Sequence, residues 1–136
     1  MTVSHFILSA VCIGFAHALT EWFFLGFLFH KYQALTPQTW RPESSKSYMY
    51  STLLSFAFGA LFTLFYYKIG SHYVLPSNIF SHIKLGLICF ACFSLVSNIN
   101  SSVYVNYDKK FVFGLLTSSG VNFVVAAIIA SHFYWK

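Results

Sequence analysis

The chain has 136 residues, of which 57% are hydrophobic, 21% aromatic and only 8% charged. A soluble domain of that composition would lack the polar residues to cover its surface, so the sequence reads as one membrane-embedded domain. The formal charge of +5 is scattered as single and paired lysines and arginines, with no basic face or run; this excludes nucleic acid as a partner and marks the charges as membrane flanks.

Four apolar segments, 6–29, 49–67, 83–105 and 111–133, are long enough to cross about 30 Å of hydrocarbon. Backbone groups in lipid must be paired within their own segment, so each is expected to be a helix, and the short alternating stretches of a β-barrel are missing. The expected fold is an all-α integral membrane protein, an antiparallel bundle of four transmembrane helices. In the first segment, Ala16-His17-Ala18 imitates a small-x-small cleavage site. No positive region precedes it and the apolar run continues to Phe29, so the segment is expected to remain.

The connection from His30 to Tyr48 carries Thr36-Pro37 and Arg41-Pro42. Each proline pushes its predecessor away from helical angles, which predicts an irregular polar loop, with Ser44, Ser45 and Ser47 able to cap the second helix. Lys68 to His82 is expected to be a second loop, around Gly70, Pro76 and Asn78. The third, Asn106 to Lys110, is short enough to make the third and fourth helices antiparallel neighbours. Lys31, Arg41, Lys46, Lys109 and Lys110 fall on one side, against Lys68, Lys84 and Lys136 on the other. The positive-inside rule then puts the first and third loops in the cytoplasm and both termini outside.

Small and polar residues mark helix contacts in lipid. The first helix offers Ala10, Gly14, His17 and Glu21, the second Ser51, Ser55, Gly59 and Thr63, the third Ser94, Ser97, Asn98 and Ser101, and the fourth Gly114, Ser118, Asn122 and Ala126. At about 1.5 Å per residue, His17 and Asn122 fall near the midplane, with Glu21, Ser55, Asn98 and Ser118 roughly 5 Å to the cytoplasmic side. The four helices are thus expected to supply one polar slab.

Within that slab, His17 and Glu21 are four residues apart and share a helix face. An intramembrane carboxylate is costly, and such residues by default mark ion or proton pathways; a neighbouring histidine would make a proton-exchanging pair. A single acid in the first of four short helices resembles the arrangement in small multidrug resistance transporters, which implies proton-coupled movement of a small cation or solute. The resemblance covers architecture and Glu21 only: the Gly, Pro and Trp motifs of that family are missing from the later helices, and the loops here are longer. The competing reading is a closed hydrogen-bond network of His17, Glu21, Asn98 and Asn122 that fixes helix register in a non-enzymatic accessory or scaffold subunit.

Other constellations point elsewhere. His5, His72, His82 and His132 all project to the terminal side and form a candidate zinc or copper site, as in a membrane metal-binding protein, although their spacings match no ligand motif. Haem would need a second axial ligand at the depth of His17, and no other histidine lies there. Cys89-Phe90-Ala91-Cys92 on a four-helix chain resembles the membrane cysteine pair of vitamin K epoxide reductases. The loop pair that feeds electrons in that family is absent, and buried apolar cysteines are the simpler account. No phosphate-binding loop, dinucleotide fingerprint or zinc-protease motif occurs, so the sequence leans away from an enzyme. A membrane enzyme acting on lipid or quinone stays open, since His17 with Glu21 also resembles a base and its orienting carboxylate. Trp40 and Arg41 in the first loop are residue types common at binding hot spots, and would face headgroups or a partner membrane subunit. The expected partners are the bilayer, a small solute or proton, and further copies of the chain or another membrane subunit.

Overall fold

The structure, a computed structural model, describes residues 2–40, 44–75 and 78–135. Four helices are long and apolar enough to cross a membrane: α1 (Val3–Leu28), α2 (Ser45–Lys68), α3 (Ile79–Tyr104) and α4 (Lys109–Tyr134). Each begins a few residues before the predicted segment because a polar side chain caps it. Thr2 accepts from the His5 N–H, Ser44 from Ser47, Asn78 from Phe80 and Asp108 from Lys110. These oxygens satisfy amides that the first turn leaves unpaired, so the helices start in the polar flanks rather than at the first apolar residue.

The helices run alternately up and down. Across α1 and α2, Ser9 meets Thr63 and His17 meets Ser55; across α1 and α4, Glu21 meets Ser118 and Phe29 lies against Gly114. Across α3 and α4, Gly86 lies on Val124 and Asn98 meets Ser119. The α2 and α4 helices form the parallel diagonal, with Phe58 and Phe62 on Phe123 and Tyr66 on Tyr134. The fourth helix is therefore central, touching all three others, and its predicted stripe of Gly114, Ser118, Asn122 and Ala126 is buried throughout.

Glycines set the two closest backbone approaches between helices. A Cβ on Gly59 would collide with the Ala10 carbonyl oxygen, and one on Gly86 would come within 2.6 Å of the Val124 Cα. Small residues at these points let the backbones approach closely and gain dispersion. Around these contacts Ile13, Phe62, Tyr66, Leu85, Cys89, Ala126, Ala127 and Ala130 form the core. The outward faces of α1, α2 and α3 are apolar and exposed, for example Phe15, Leu19, Leu54, Leu61, Ile88 and Phe93.

Three expectations are corrected. Among the described residues the first connection is not irregular throughout: 3-10 turns form at His30–Leu35 and Pro37–Thr39, the second with Pro37 supplying its fixed φ at the first position, while Arg41-Pro42 lies outside the described residues. The 68–82 connection holds another 3-10 turn, Gly70–Tyr73. Two spans are not α-helical throughout either. A π-helical segment, Trp22–Leu28, ends α1, and another, Ala91–Leu95, interrupts α3. Neither contains a buried residue.

Candidate functional site

Glu21 is the last α-helical residue of α1 before the π segment. Its Oε1 accepts two hydrogen bonds from α4, from Ser118 Oγ at 2.9 Å and from Asn122 Nδ2 at 3.0 Å. Ser118 and Asn122 stack one turn apart on the buried stripe, at 0% and 4% exposure. Among the described residues Oε2 has no hydrogen-bond partner, and the buried Asn122 Oδ1 has none.

His17 does not pair with Glu21. Sharing one face of α1, the two side chains diverge to different neighbours: His17 Nδ1 lies 3.0 Å from Ser55 Oγ on α2, and the imidazole packs against the Phe58 ring at 4.6 Å. The Ser55 hydroxyl directs its one proton to the Ser51 carbonyl oxygen at 3.1 Å. With its proton there, the hydroxyl accepts from His17 Nδ1–H; in the other tautomer it donates to Nδ1 instead.

Asn98 goes to a third place. Its Nδ2 donates to Ser94 Oγ at 2.9 Å and to Ser119 Oγ at 3.1 Å. Adjacent helical positions lie about 100° apart, so Ser118 faces α1 while Ser119 faces α3. The expected slab is thus three separate clusters: His17–Ser55, Glu21–Ser118–Asn122 and Asn98–Ser94–Ser119. The expected inward stripe of α3 is also displaced. Ser97 is exposed and Ser94, Asn98 and Ser101 are half-buried, whereas the buried face is His82, Leu85, Gly86 and Cys89.

The four terminal-side histidines are dispersed. His82 is buried, with Nδ1 3.4 Å from the Tyr66 hydroxyl and Nε2 without a partner. His132 is exposed and packs on Phe133, His72 is exposed, and His5 is half-buried in the first turn of α1. No group of three or more His, Cys, Asp or Glu side chains able to share a metal ion occurs among the described residues. The cysteines are free. Cys89 is buried and Cys92 exposed, because the switch to π geometry after Phe90 carries Cys92 off the face that Cys89 occupies.

Trp40 folds back onto the chain. Its ring packs on Phe111 at 4.8 Å and Tyr107 at 5.3 Å, and Nε1–H donates to Thr36 Oγ1 at 3.3 Å. Arg41 lies outside the described residues. Nearby, the Lys31 and Lys110 ammonium groups each lie 5.3 Å from the Tyr32 ring centroid.

Sequence reasoning missed the buried Ser9–Thr63 hydroxyl pair, at 3.1 Å. Thr63 stood in the α2 stripe, and its partner could have been found by extending the α1 stripe from Gly14 back to Ser9. The π segments carry no comparable signal: neither contains proline, and only Gly26 interrupts them. Comparison of the chain with protein-family models, curated proteins and solved structures finds no match in any of the three.

Proposed function

We propose that this chain is a multi-pass integral membrane protein in which Glu21 exchanges a proton or small solute with one side of the bilayer, as a proton-linked transporter or channel-like protein. Loops 29–44 and 105–108 would lie in the cytoplasm and both termini outside, by the charge asymmetry of the loops. The observation that carries the reading is the half-satisfied carboxyl: Oε1 is held by two donors from α4 while Oε2 has no partner among the described residues. A carboxyl that served only to fix helix register would be expected to have both oxygens bonded, since an unmet acceptor in apolar surroundings is costly. Its position supports the same reading, because π segments interrupt regular hydrogen bonding and recur at functional sites.

Infrared difference spectroscopy of the protein in nanodiscs, stepped through pH, tests this directly. A carboxyl band that titrates in the wild type and vanishes in Glu21→Gln is expected, together with Glu21-dependent proton flux in dye-loaded liposomes. A spectrum with no titrating Glu21 band and no proton flux overturns the reading.

One observation favours the alternative of an accessory or scaffold subunit, or of a homo-oligomer. The last part of α3, Val96–Tyr104, has no buried residue and leaves Ser97 and Asn100 exposed. Polar side chains on an apolar span are typical of helix contacts within a membrane. Cysteine cross-linking at Ser97 in native membranes separates the cases: a homodimer band, a band with a different subunit, or neither.

A further inference from the structure

We infer that Lys31, Lys110 and Tyr32 bind the headgroup of an anionic phospholipid, whose acyl chains lie along the aromatic side chains below them. The inference rests on the membrane placement proposed above and is independent of the role of Glu21. Lys31 follows the end of α1 and Lys110 lies in the first turn of α4, yet both ammonium groups come 5.3 Å from the centroid of the same Tyr32 ring. That ring is not a free surface group. It is half-buried and packs on Phe29 at 6.1 Å, and Phe29 in turn occupies the space that a Cβ on Gly114 would need. The ring that gathers the two charges is thus anchored at the seam between α1 and α4.

Two like charges drawn to one ring repel each other, and the attraction of the ring face offsets only part of that. Among the described residues no carboxylate neutralises them. Neither ammonium has an ion pair there, and Asp108 directs Oδ1 to the Lys110 backbone N–H at 2.8 Å as the cap of α4. Of the other two acids in the chain, Glu21 is held by Ser118 and Asn122, and Glu43 lies outside the described residues, as does Arg41. The exposed Lys46 and Lys109 add positive charge at the same end, and the start of α4 adds the partial charge of a helix N-terminus. An anion is the partner this end lacks.

The surface below the charges favours a lipid over a free anion. Phe113, 64% exposed, packs on Phe29 at 6.2 Å, and Phe29 packs on Tyr32, so an aromatic strip runs from the apolar flank of α4 up to the lysines. Phe27 and Leu28 expose further apolar area on the α1 side. Inorganic phosphate or an acidic peptide would meet the charges and leave this strip uncovered, whereas one phospholipid covers both. The height agrees, because the two lysines stand where the apolar runs end, and basic clusters beside membrane helices select acidic lipids. Trp40, which the sequence offered for headgroup contact, is turned onto Phe111 and Tyr107 instead.

The test is native mass spectrometry of the full chain released from detergent, with phosphatidylglycerol, phosphatidylcholine, inorganic phosphate and an oligoglutamate peptide added in separate arms. Phosphatidylglycerol is expected to bind more tightly than phosphatidylcholine. Lys31→Gln with Lys110→Gln should weaken it by about thirtyfold, about fivefold for each charge beside an acidic headgroup. Lys109→Gln, which removes a neighbouring exposed charge, should change it by less than about twofold, and Phe113→Ser, which keeps every charge, should weaken it. Equal binding of the two lipids, an equal loss on Lys109→Gln, or displacement of the lipid by phosphate or by the peptide overturns the inference. Tighter lipid binding by about tenfold in Glu43→Gln would mean that this acid already occupies the lysines, and overturns it as well. If Glu21 titrates in the infrared while the two lipids bind alike, the exchange role survives and this inference fails. If the lysine pair selects the acidic lipid while Glu21 stays silent, this inference stands and the proton-linked reading fails.

Discussion

Towards its termini the bundle closes on Ile13, Phe62, Tyr66, Leu85, Cys89, Ala126, Ala127 and Ala130, with Gly59 and Gly86 drawing backbones together. Towards the 29–44 loop α1 and α3 open while α4 stays buried at Phe111, Gly114, Ser118 and Asn122: α1 has no buried residue after Gly14 and α3 none after Cys89, and both π segments fall in this half. Glu21, His17 and Asn98 all lie there, held by hydrogen bonds and, for His17, by the Phe58 ring as well. The contrast separates two tasks that a small membrane bundle must combine. Backbone-to-backbone contact joins the helices in one half, and the other half carries the polar clusters on which the proposed exchange role rests.

The comparison breaks most sharply at the glycines. Gly86→Leu forces a side chain into the α4 backbone and is expected to destabilise the bundle by about 3 kcal/mol or more, read by denaturant unfolding in mixed micelles. The same change at Gly120, where an added Cβ meets the Phe90 ring no closer than 3.8 Å, should cost much less. Equal losses at both sites would mean that α3 and α4 do not approach at Gly86. Hydrogen exchange should show the difference between halves within one helix: amides of 96–104 are expected to exchange on the order of a hundredfold faster than those of 83–90, since unburied segments open locally. Uniform protection along α3 would contradict an open half.

Cysteine chemistry sharpens the same boundary. An apolar maleimide should label the exposed Cys92 well before the buried Cys89, and simultaneous labelling would place both on one face. The smallest effect belongs to the closed half's polar contact. Ser9→Ala with Thr63→Val in a double-mutant cycle should give a coupling of about 0.6 kcal/mol, the usual size of such bonds between membrane helices. A coupling indistinguishable from zero would mean that the 3.1 Å contact does not hold the helices.

Much of this arrangement could be read from residues. Periodic apolar runs located the four helices, Ser44 was a legible cap, and the α4 stripe of Gly114, Ser118, Asn122 and Ala126 was placed correctly because four-residue spacing fixes a face whatever lies opposite. The α3 stripe failed because it was drawn from the polar residues Ser94 to Ser101, whereas the buried face lies earlier at His82, Leu85, Gly86 and Cys89, and Asn98 meets Ser119 instead of the Glu21 cluster.

Depth was equally incomplete as a guide. Counting residues gives the height of His17, Glu21, Asn98 and Asn122 along the bundle, but height is one coordinate of three. By itself the sequence determined that this chain forms four long apolar helices and that the first carries an acid within its apolar run, since composition and spacing along one chain are local properties. The tertiary structure decided which helices are neighbours, that His17 and Glu21 part towards α2 and α4, and that one carboxyl oxygen and one amide oxygen are left without donors. Those facts depend on rotations and distances between helices, and close packing fixes them only when all four are assembled.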